Sequence, residues 1–286
     1  MRIRRFITRH LFWLVTIVTL LISGAIGFYA GQKKIFPLPN ITQKTQTCRQ
    51  EISENPQRLT VYVTDNWFSN ILIPSLCENE IVRRQFGDVK VITGTNDFDT
   101  FKHINYGIAD LALVKDHSIT AFASEKVHGY QVIAQYPDYP AFFIARNEKP
   151  IITKEYILGK RIGLLDYPSS RSGHIIPKIV LQELGLNSSN TDILYYNSHS
   201  ELRQRLLVGD VDIIASYWDE TDNEQFSVNY RTQLDANIRG SRWFLKQQSR
   251  NVDLICALQR ELAVLSEKHR SDYYQGIQLI NECKND

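Results

Sequence analysis

The 286 residues include 33 basic and 31 acidic side chains, and the first 49 residues hold eight of the bases and no acid. From residue 50 onward the balance is 25 basic against 31 acidic, so the slight positive charge belongs to the N-terminus. A net-acidic body without a basic cluster argues against nucleic acid as a partner, which needs a positive footprint.

The first predicted element is Leu11–Ala30, twenty residues without a charge. At ~1.5 Å per residue a helix of this length reaches ~30 Å, enough to cross a bilayer core. Arg2, Arg4, Arg5 and Arg9 precede it. The positive-inside rule then makes residues 1–10 a cytoplasmic tail and places the body beyond the inner membrane, in the periplasm or outside the cell. A cleaved signal peptide is the rival reading, since Ser23-Gly24-Ala25 offers a small-x-small site, but the apolar stretch is long for a signal core. The first cysteine is Cys48, far beyond a lipidation position.

Residues 31–57, with Pro37, Pro39 and Pro56 among Gln, Thr and Asn, read as a linker. Strand and helix signals then alternate. Leu59–Val63, Val89–Ile92, Leu111–Val114 and Tyr130–Tyr136 are predicted strands, with helices from about Pro74 to Val82 and from Asn96 or Asp97 to Tyr106. The second half repeats the theme. Ala141–Ala145, Arg161–Leu165, Ile193–Tyr196 and Val211–Ala215 are predicted strands, and Lys154–Leu158, Ser172–Leu184 and Ser200–Val208 are predicted helices. Gly185 and Gly209 stand at C-cap positions. Leu254, Ile255, Leu258, Leu262 and Leu265 follow helical spacing.

Short apolar strands alternating with helices predict an α/β fold with mostly parallel sheets. Two such series predict two lobes, residues 58–140 and 141–216. Residues 217–286 then return to the first lobe and end in helices. Cys48, Cys77, Cys256 and Cys283 all lie in the exported part, where disulfides form. Four cysteines allow three connectivities, of which the sequence-local pairs Cys48–Cys77 and Cys256–Cys283 are preferred.

The stretch Pro168-Ser-Ser-Arg-Ser-Gly-His-Ile-Ile-Pro177 follows a predicted strand and opens an apolar helix. A helix start exposes unpaired N–H groups and the positive end of the dipole. Ser169, Ser170 and Ser172 add neutral donors, and Gly173 lets a ligand approach the backbone, so the turn is a candidate anion cradle. Ordinary N-capping also calls for serine, though one cap needs only one.

This stretch resembles the phosphonate-binding (PhnD-like) branch of the type II periplasmic binding proteins. That family shows a Ser-Thr-Ser-Gly helix start with Pro four residues after the Gly, matched here by Ser170-Arg171-Ser172-Gly173 and Pro177. Gly107-Ile108-Ala109-Asp110-Leu111-Ala112 resembles its Gly-x-Ala-Asp-x-Ala element, and Leu158-Gly159-Lys160-Arg161-Ile162 its Gly-Lys turn. Asn197-Ser198-His199 and Gly209-Asp210-Val211-Asp212 resemble its His-bearing loop and following Gly-x-Val-Asp segment. The resemblance covers roughly residues 58–220.

It implies a two-lobe type II fold joined by crossing strands, with ligand in the cleft. Ser170 and Ser172 would bond anion oxygens, helped by the backbone of Gly173. His199 matches a position that faces the ligand. The Asp65-Asn66-Trp67 loop and Lys115 to His117 would supply contacts from the first lobe, and Tyr217, Trp218 and Asp219 would read the far end. For Trp67 and Trp218, core packing stands as an equal alternative. Arg171 departs from the family's Thr. Turned inward it would be a bidentate clamp, turned outward a solvated charge. The ligand class is therefore a small anion or zwitterion.

No enzyme is expected. Ser172, His199 and Asp212 lack the Gly-x-Ser-x-Gly elbow of a hydrolase, the histidines lack metal spacing, and no phosphate-loop motif occurs, so no catalytic residue, metal or cofactor is assigned. The expected role is a membrane-anchored solute-binding protein serving an ABC permease. The alternative is a sensory binding protein reporting to a transmembrane partner, and an enzyme on the same scaffold ranks third.

Overall fold

The computed structural model describes residues 13–25, 44–49, 55–247, 250–269, 271–281 and 283. The chain divides into two compact units, Met1–Thr42 and Gln43–Asp286. In the first, residues 13–25 are helical. Among the described residues no helix is long and apolar enough to cross a membrane. Positions 1–12 and 26–30 of the expected tail and anchor lie outside the described residues.

The second unit is built on two sheets. Strands β1 (Lys44–Arg49), β2 (Arg58–Val63), β3 (Asp88–Thr93), β4 (Leu111–Val114) and β5 (Tyr130–Gln135) come first. Next are β6 (Tyr139–Ala145), β7 (Arg161–Leu165), β8 (Asp192–Tyr196), β9 (Ile213–Tyr217) and β10 (Arg231–Ile238), then β11 (Arg242–Lys246) and β12 (Gln278–Leu279). A seven-stranded sheet has the order β1-β3-β2-β4-β11-β5-β12, and a five-stranded sheet the order β10-β6-β9-β7-β8. The chain crosses between them twice, at 136–138 and at 239–241.

The expectation of mostly parallel sheets is corrected to mixed ones. Only β2–β3, β2–β4, β7–β8 and β7–β9 are parallel, and the other described pairings are antiparallel. The cause is the crossings, which insert β11 antiparallel between β4 and β5, and β6 antiparallel against both β9 and β10. The segment Arg231–Ile238, expected past the second crossing, therefore stays with the five-stranded sheet.

The parallel central strands are buried on both faces, which is why they read as unbroken apolar runs. Phe68, Leu72 and Leu76 pack one face of the larger sheet together with Leu254, Leu258, Leu262 and Leu265. Tyr62, Ile92, Ile104, Ala112, Ile119 and Phe244 fill its other face. Leu164, Leu181 and Ile213 sit on one side of the smaller sheet, and Leu202, Leu206 and Ile214 on the other.

The helix expected over Pro74–Val82 is two helices, Asn66–Glu78 and Glu80–Gln85. Asn79 divides them, because its side chain caps the second by accepting from the amides of Ile81 and Val82. Part of the expected linker, Lys44–Arg49, is an edge strand antiparallel to β3. Disulfides join Cys48 to Cys77 and Cys256 to Cys283, the two sequence-local pairs.

The crossings run side by side. The amide of Tyr136 donates to the Ser241 carbonyl at 3.0 Å. A Cβ at Gly240 would come within 2.4 Å of the carbonyl oxygens of both Tyr136 and Pro137, so only glycine fits this close approach.

Candidate binding site

A cavity of about 370 Å³ opens where the strands of both sheets reach their carboxyl ends. From the larger sheet come Thr64 and Asp65 after β2, Gly94 and Thr95 after β3, and Lys115 and Ser118 after β4. From the smaller come Tyr167, Ser169, Ser170 and Ser172 after β7, Asn197, Ser198 and His199 after β8, and Tyr217 at the end of β9. Tyr139 and Ser241 beside the crossings complete the wall with Tyr273 and Tyr274. Open α/β sheets place ligands at such strand ends, because the loops there are free to carry polar groups.

The turn after β7 begins as a wide helical turn over Arg171–Ile175. The amide of Ile175 bonds to the Ser170 carbonyl at 2.9 Å, a five-residue spacing that opens the helix start. Ser170 and Ser172 are 4% and 2% exposed, so their hydroxyls have little but the cavity to address. The Ser170 hydroxyl accepts from the Gly173 amide at 3.3 Å, which leaves its own proton to donate.

Lys115 is half-buried in the cavity wall. Its ammonium donates to the Ser169 carbonyl at 3.0 Å and lies 5.9 Å from the centre of the Tyr167 ring. Burial lowers its pKa to about 8, with Asp97 pulling it up and Arg171 pushing it down. The Ser169 amide in turn donates to the Asp97 carboxylate at 3.0 Å.

His199 caps nothing by itself. It is the first residue of helix His199–Val208, whose cap is Ser198. Its Nδ1 is 2.8 Å from the Ser216 hydroxyl and its ring meets Tyr217 edge-on at 4.8 Å. Burial pushes its pKa down to about 3, helped by Arg203 and Lys115, so the ring is neutral near pH 7. Arg203 itself is paired to Asp222 at 2.8 Å. Burial raises the hydroxyls of Tyr139, Tyr217, Tyr273 and Tyr274, which stay protonated donors. The wall thus sets the Lys115 ammonium and the Asp65 carboxyl group among neutral hydroxyls, an amide and an imidazole.

Of the residues singled out in the sequence, Asp65, Lys115, Ser169, Ser170, Ser172, His199 and Tyr217 meet at this cavity. The others do not line it, Asp116, His117 and Asp219 among them. Gly173 is buried against β7, where a Cβ would come within 2.6 Å of the Leu165 side chain, and its amide is already bonded. Its small size serves helix-to-strand packing, not ligand approach. Arg171 turns neither into the cavity nor into solvent, and bonds Asp116 at 2.7 Å. Asn66 is exposed on the first turn of its helix. Trp67 packs edge-on against Phe68 and His269 at 5.2 and 4.3 Å. Trp218 lies under the Arg231 guanidinium at 4.5 Å and joins the core of the smaller sheet.

Sequence reasoning missed Tyr139, Tyr167, Tyr273 and Tyr274. The last two arrive from the C-terminal segment, and only the Tyr-Tyr pair marks them. Among the described residues no group of His, Cys, Asp and Glu is placed to hold a metal ion.

The family of periplasmic substrate-binding proteins of phosphonate ABC transporters matches residues 82–230. A search of curated proteins found no match. Among solved structures, PhnD1 from Prochlorococcus marinus in complex with methylphosphonate is similar at 16% identity, covering 77% of this chain and 88% of that one with a TM-score of 0.54. A Xanthomonas citri protein bound to ATP matches at 13% identity over 79% of this chain and 92% of that one, TM-score 0.53. A binding protein component of an ABC phosphonate transporter from Pseudomonas aeruginosa matches at 14% identity, over 72% of each chain, TM-score 0.50. At these identities the structures speak for the two-lobe α/β fold alone.

Proposed function

We propose, on the premise that this chain belongs to the family of periplasmic substrate-binding proteins of phosphonate ABC transporters, that its cleft takes a small phosphonate-like anion and delivers it to an ABC importer. Its body acts outside the cytoplasm, as that family does, and it is a binding protein and not an enzyme.

The observation that carries the reading is the Lys115 ammonium. It is half-buried on the cavity wall and donates to a neutral carbonyl, and the pull of Asp97 falls short of offsetting burial. A buried charge without full compensation is costly, and an anion in the cavity relieves that cost. Ser170 and Ser172 would bond the anion's oxygens from the opposite side. Neutral His199 and the tyrosine hydroxyls would fix the remaining oxygen and the organic substituent. Methylphosphonate, with which the Prochlorococcus protein forms a complex, is an anion of the class such a site would take.

The uncharged run Leu11–Ala30 is read as a retained single-pass anchor in the inner membrane. The anchor reading is checked by the intact mass of the membrane-extracted protein. A mature chain beginning near residue 26 would overturn it.

The binding reading is tested on the full chain in detergent micelles, since β1 and Cys48 precede residue 50 and belong to the larger sheet. Methylphosphonate, phosphate, phosphite, sulfate, carboxylates and amino acids are added in turn. A ligand of the folded state raises the melting temperature, because selective binding adds RT ln(1 + [L]/Kd) to stability. Methylphosphonate is expected to give a clear rise. No rise with any of these compounds would count against a small-anion receptor.

A further inference from the structure

Arg171 stands between two cavity serines, Ser170 and Ser172, on the side of the smaller sheet. Its guanidinium reaches the other side, where Nη2 donates to Asp116 Oδ1 at 2.7 Å. Asp116 directly follows Lys115, the cavity's lysine. The second oxygen of Asp116 accepts from Arg239 Nη1 at 3.0 Å, and Arg239 belongs to the second crossing between the sheets. One carboxylate therefore ties together the lysine loop, the serine turn and a crossing segment. The Arg171 and Asp116 side chains are only 20% and 12% exposed, so salt screens this pair weakly. Asp116 is held below the usual carboxylate range, with burial opposing and Arg239 and Arg171 favouring the ionised form.

We infer that Asp116 and Arg171 are positioning residues, whose ion pair holds the two lobes together and assembles the anion site from its two halves. Neither side chain lines the cavity, so their effect on ligand runs through Lys115 on one side and Ser170 and Ser172 on the other. The inference rests on the reading of the cavity as the binding site for its consequence on affinity. Its consequence for lobe closure is independent of any ligand. Other contacts join the two lobes, among them Lys115 to the Ser169 carbonyl, the Ser169 amide to Asp97, the Tyr167 hydroxyl with Thr100 and Asp97, and the Ser271 hydroxyl to Asp219. In each of these at least one partner is neutral, whereas Arg171–Asp116 joins two full charges, the stronger kind of link.

The test uses the full chain in micelles, carrying probes at the exposed positions Glu125 and Glu183, one on each lobe, introduced as non-cysteine labels to spare the disulfides. Interlobe distance is read without ligand and with methylphosphonate. The unsubstituted chain is expected to populate a short distance before ligand is added. Arg171→Gln and Asp116→Asn are each expected to shift the ligand-free population to longer distances and to weaken methylphosphonate binding at least tenfold. The double variant should be no worse than Asp116→Asn alone, since that substitution already removes the pair with Arg171 together with the one to Arg239. Arg171→Lys should retain most of the short-distance population, a rescue that loss of general packing would not give.

Distance distributions that are unchanged in both single variants would overturn the inference, whatever methylphosphonate does. A normal distance response with no methylphosphonate binding by any form would leave the ion pair standing as the lobe link and remove the ligand reading instead. Should Asp116→Asn fail to fold, Arg171→Gln and Arg171→Lys carry the comparison alone.

Discussion

The Lys115 ammonium stands 3.0 Å from the carbonyl oxygen of Ser169, so the cavity's lysine reaches from the loop after β4 to the turn after β7. Replacing it with Met keeps the length of the stem and removes the charge. A hydrogen bond to a charged group is worth about 1.5–3 kcal/mol, which sets the expected loss of methylphosphonate affinity at roughly ten- to hundredfold. Calorimetric titration of Lys115→Met measures it, and affinity within twofold of the unsubstituted chain would remove the lysine from the site.

The same residue gives the affinity a pH dependence. The free site holds the Lys115 proton up to about pH 8, and a bound anion would hold it to higher pH. Binding therefore takes up a proton above pH 8. Affinity should be flat with respect to this group below pH 8 and fall as pH rises beyond it. Subtracting the Lys115→Met profile cancels the ligand's own ionisation. A difference profile that stays level from pH 7 to pH 10 would contradict the assignment.

Ser170 and Ser172 have separable duties. The Ser170 hydroxyl caps the turn through the Gly173 amide, and Ser172 lines the cavity with a hydroxyl that also meets Tyr139. Ser170→Ala is expected to lower both affinity and stability, the latter by about 1 kcal/mol, as cap removal does. Ser172→Ala is expected to lower affinity roughly three- to tenfold with a smaller stability change. Thermal melts without ligand and titrations with methylphosphonate separate the two. Unaltered affinity in the double variant would dismiss the serine cradle.

These residues also show where the sequence was informative. Ser170 and Ser172 were legible because they follow an apolar strand at a helix start, a local pattern that one window of sequence contains, whereas His199 came from the family resemblance. Lys115, after β4, was reached through the same resemblance. Arg171 was open between inward and outward because its partner is 55 residues away and no local signal names it. Tyr273 and Tyr274 were invisible for the same reason, since the C-terminal helix must first fold back before they meet the cleft. The sheets were read as more parallel than they are. A strand inserted antiparallel at a crossing has the same apolar composition as its parallel neighbours, so composition cannot tell them apart. β1 was lost because KTQTCR is a polar edge strand whose order comes from pairing with β3 and from its disulfide.

His199 sets an acid limit. Its pKa in the folded protein is about 3, below the ordinary histidine value of 6.5 that the unfolded chain restores. Between those values the unfolded chain binds the proton and the folded protein does not. Stability then rises with pH through this window and falls as the solution is acidified from about pH 6.5 towards pH 3. His103, His117 and His269 are shifted the same way by burial and add to the slope. His199→Asn is expected to melt with a shallower pH dependence between pH 6 and pH 4. A slope equal to that of the unsubstituted chain would mean that His199 is not held neutral by the fold.

The Cys48–Cys77 disulfide closes a loop with a sequence separation of 29 and holds an edge strand to helix Asn66–Glu78. On the chain-entropy account, removing it costs about 3–4 kcal/mol, because the unfolded chain regains the freedom that the crosslink denied it. At a scale of roughly 2–4 °C per kcal/mol for a body of this size, melting should fall by roughly 6–15 °C in a Cys48→Ser, Cys77→Ser double variant. Cys48 pairs with Val89 at the start of β3, whereas Gly94 and Thr95 reach the cavity beyond the end of that strand. Methylphosphonate affinity, measured well below the melting point, should therefore stay within twofold. Differential scanning calorimetry and titration read the two quantities on one preparation. An unchanged melting temperature would show that pairing with β3 alone secures the edge strand, and a large loss of affinity would show that the strand's placement is felt at the cleft.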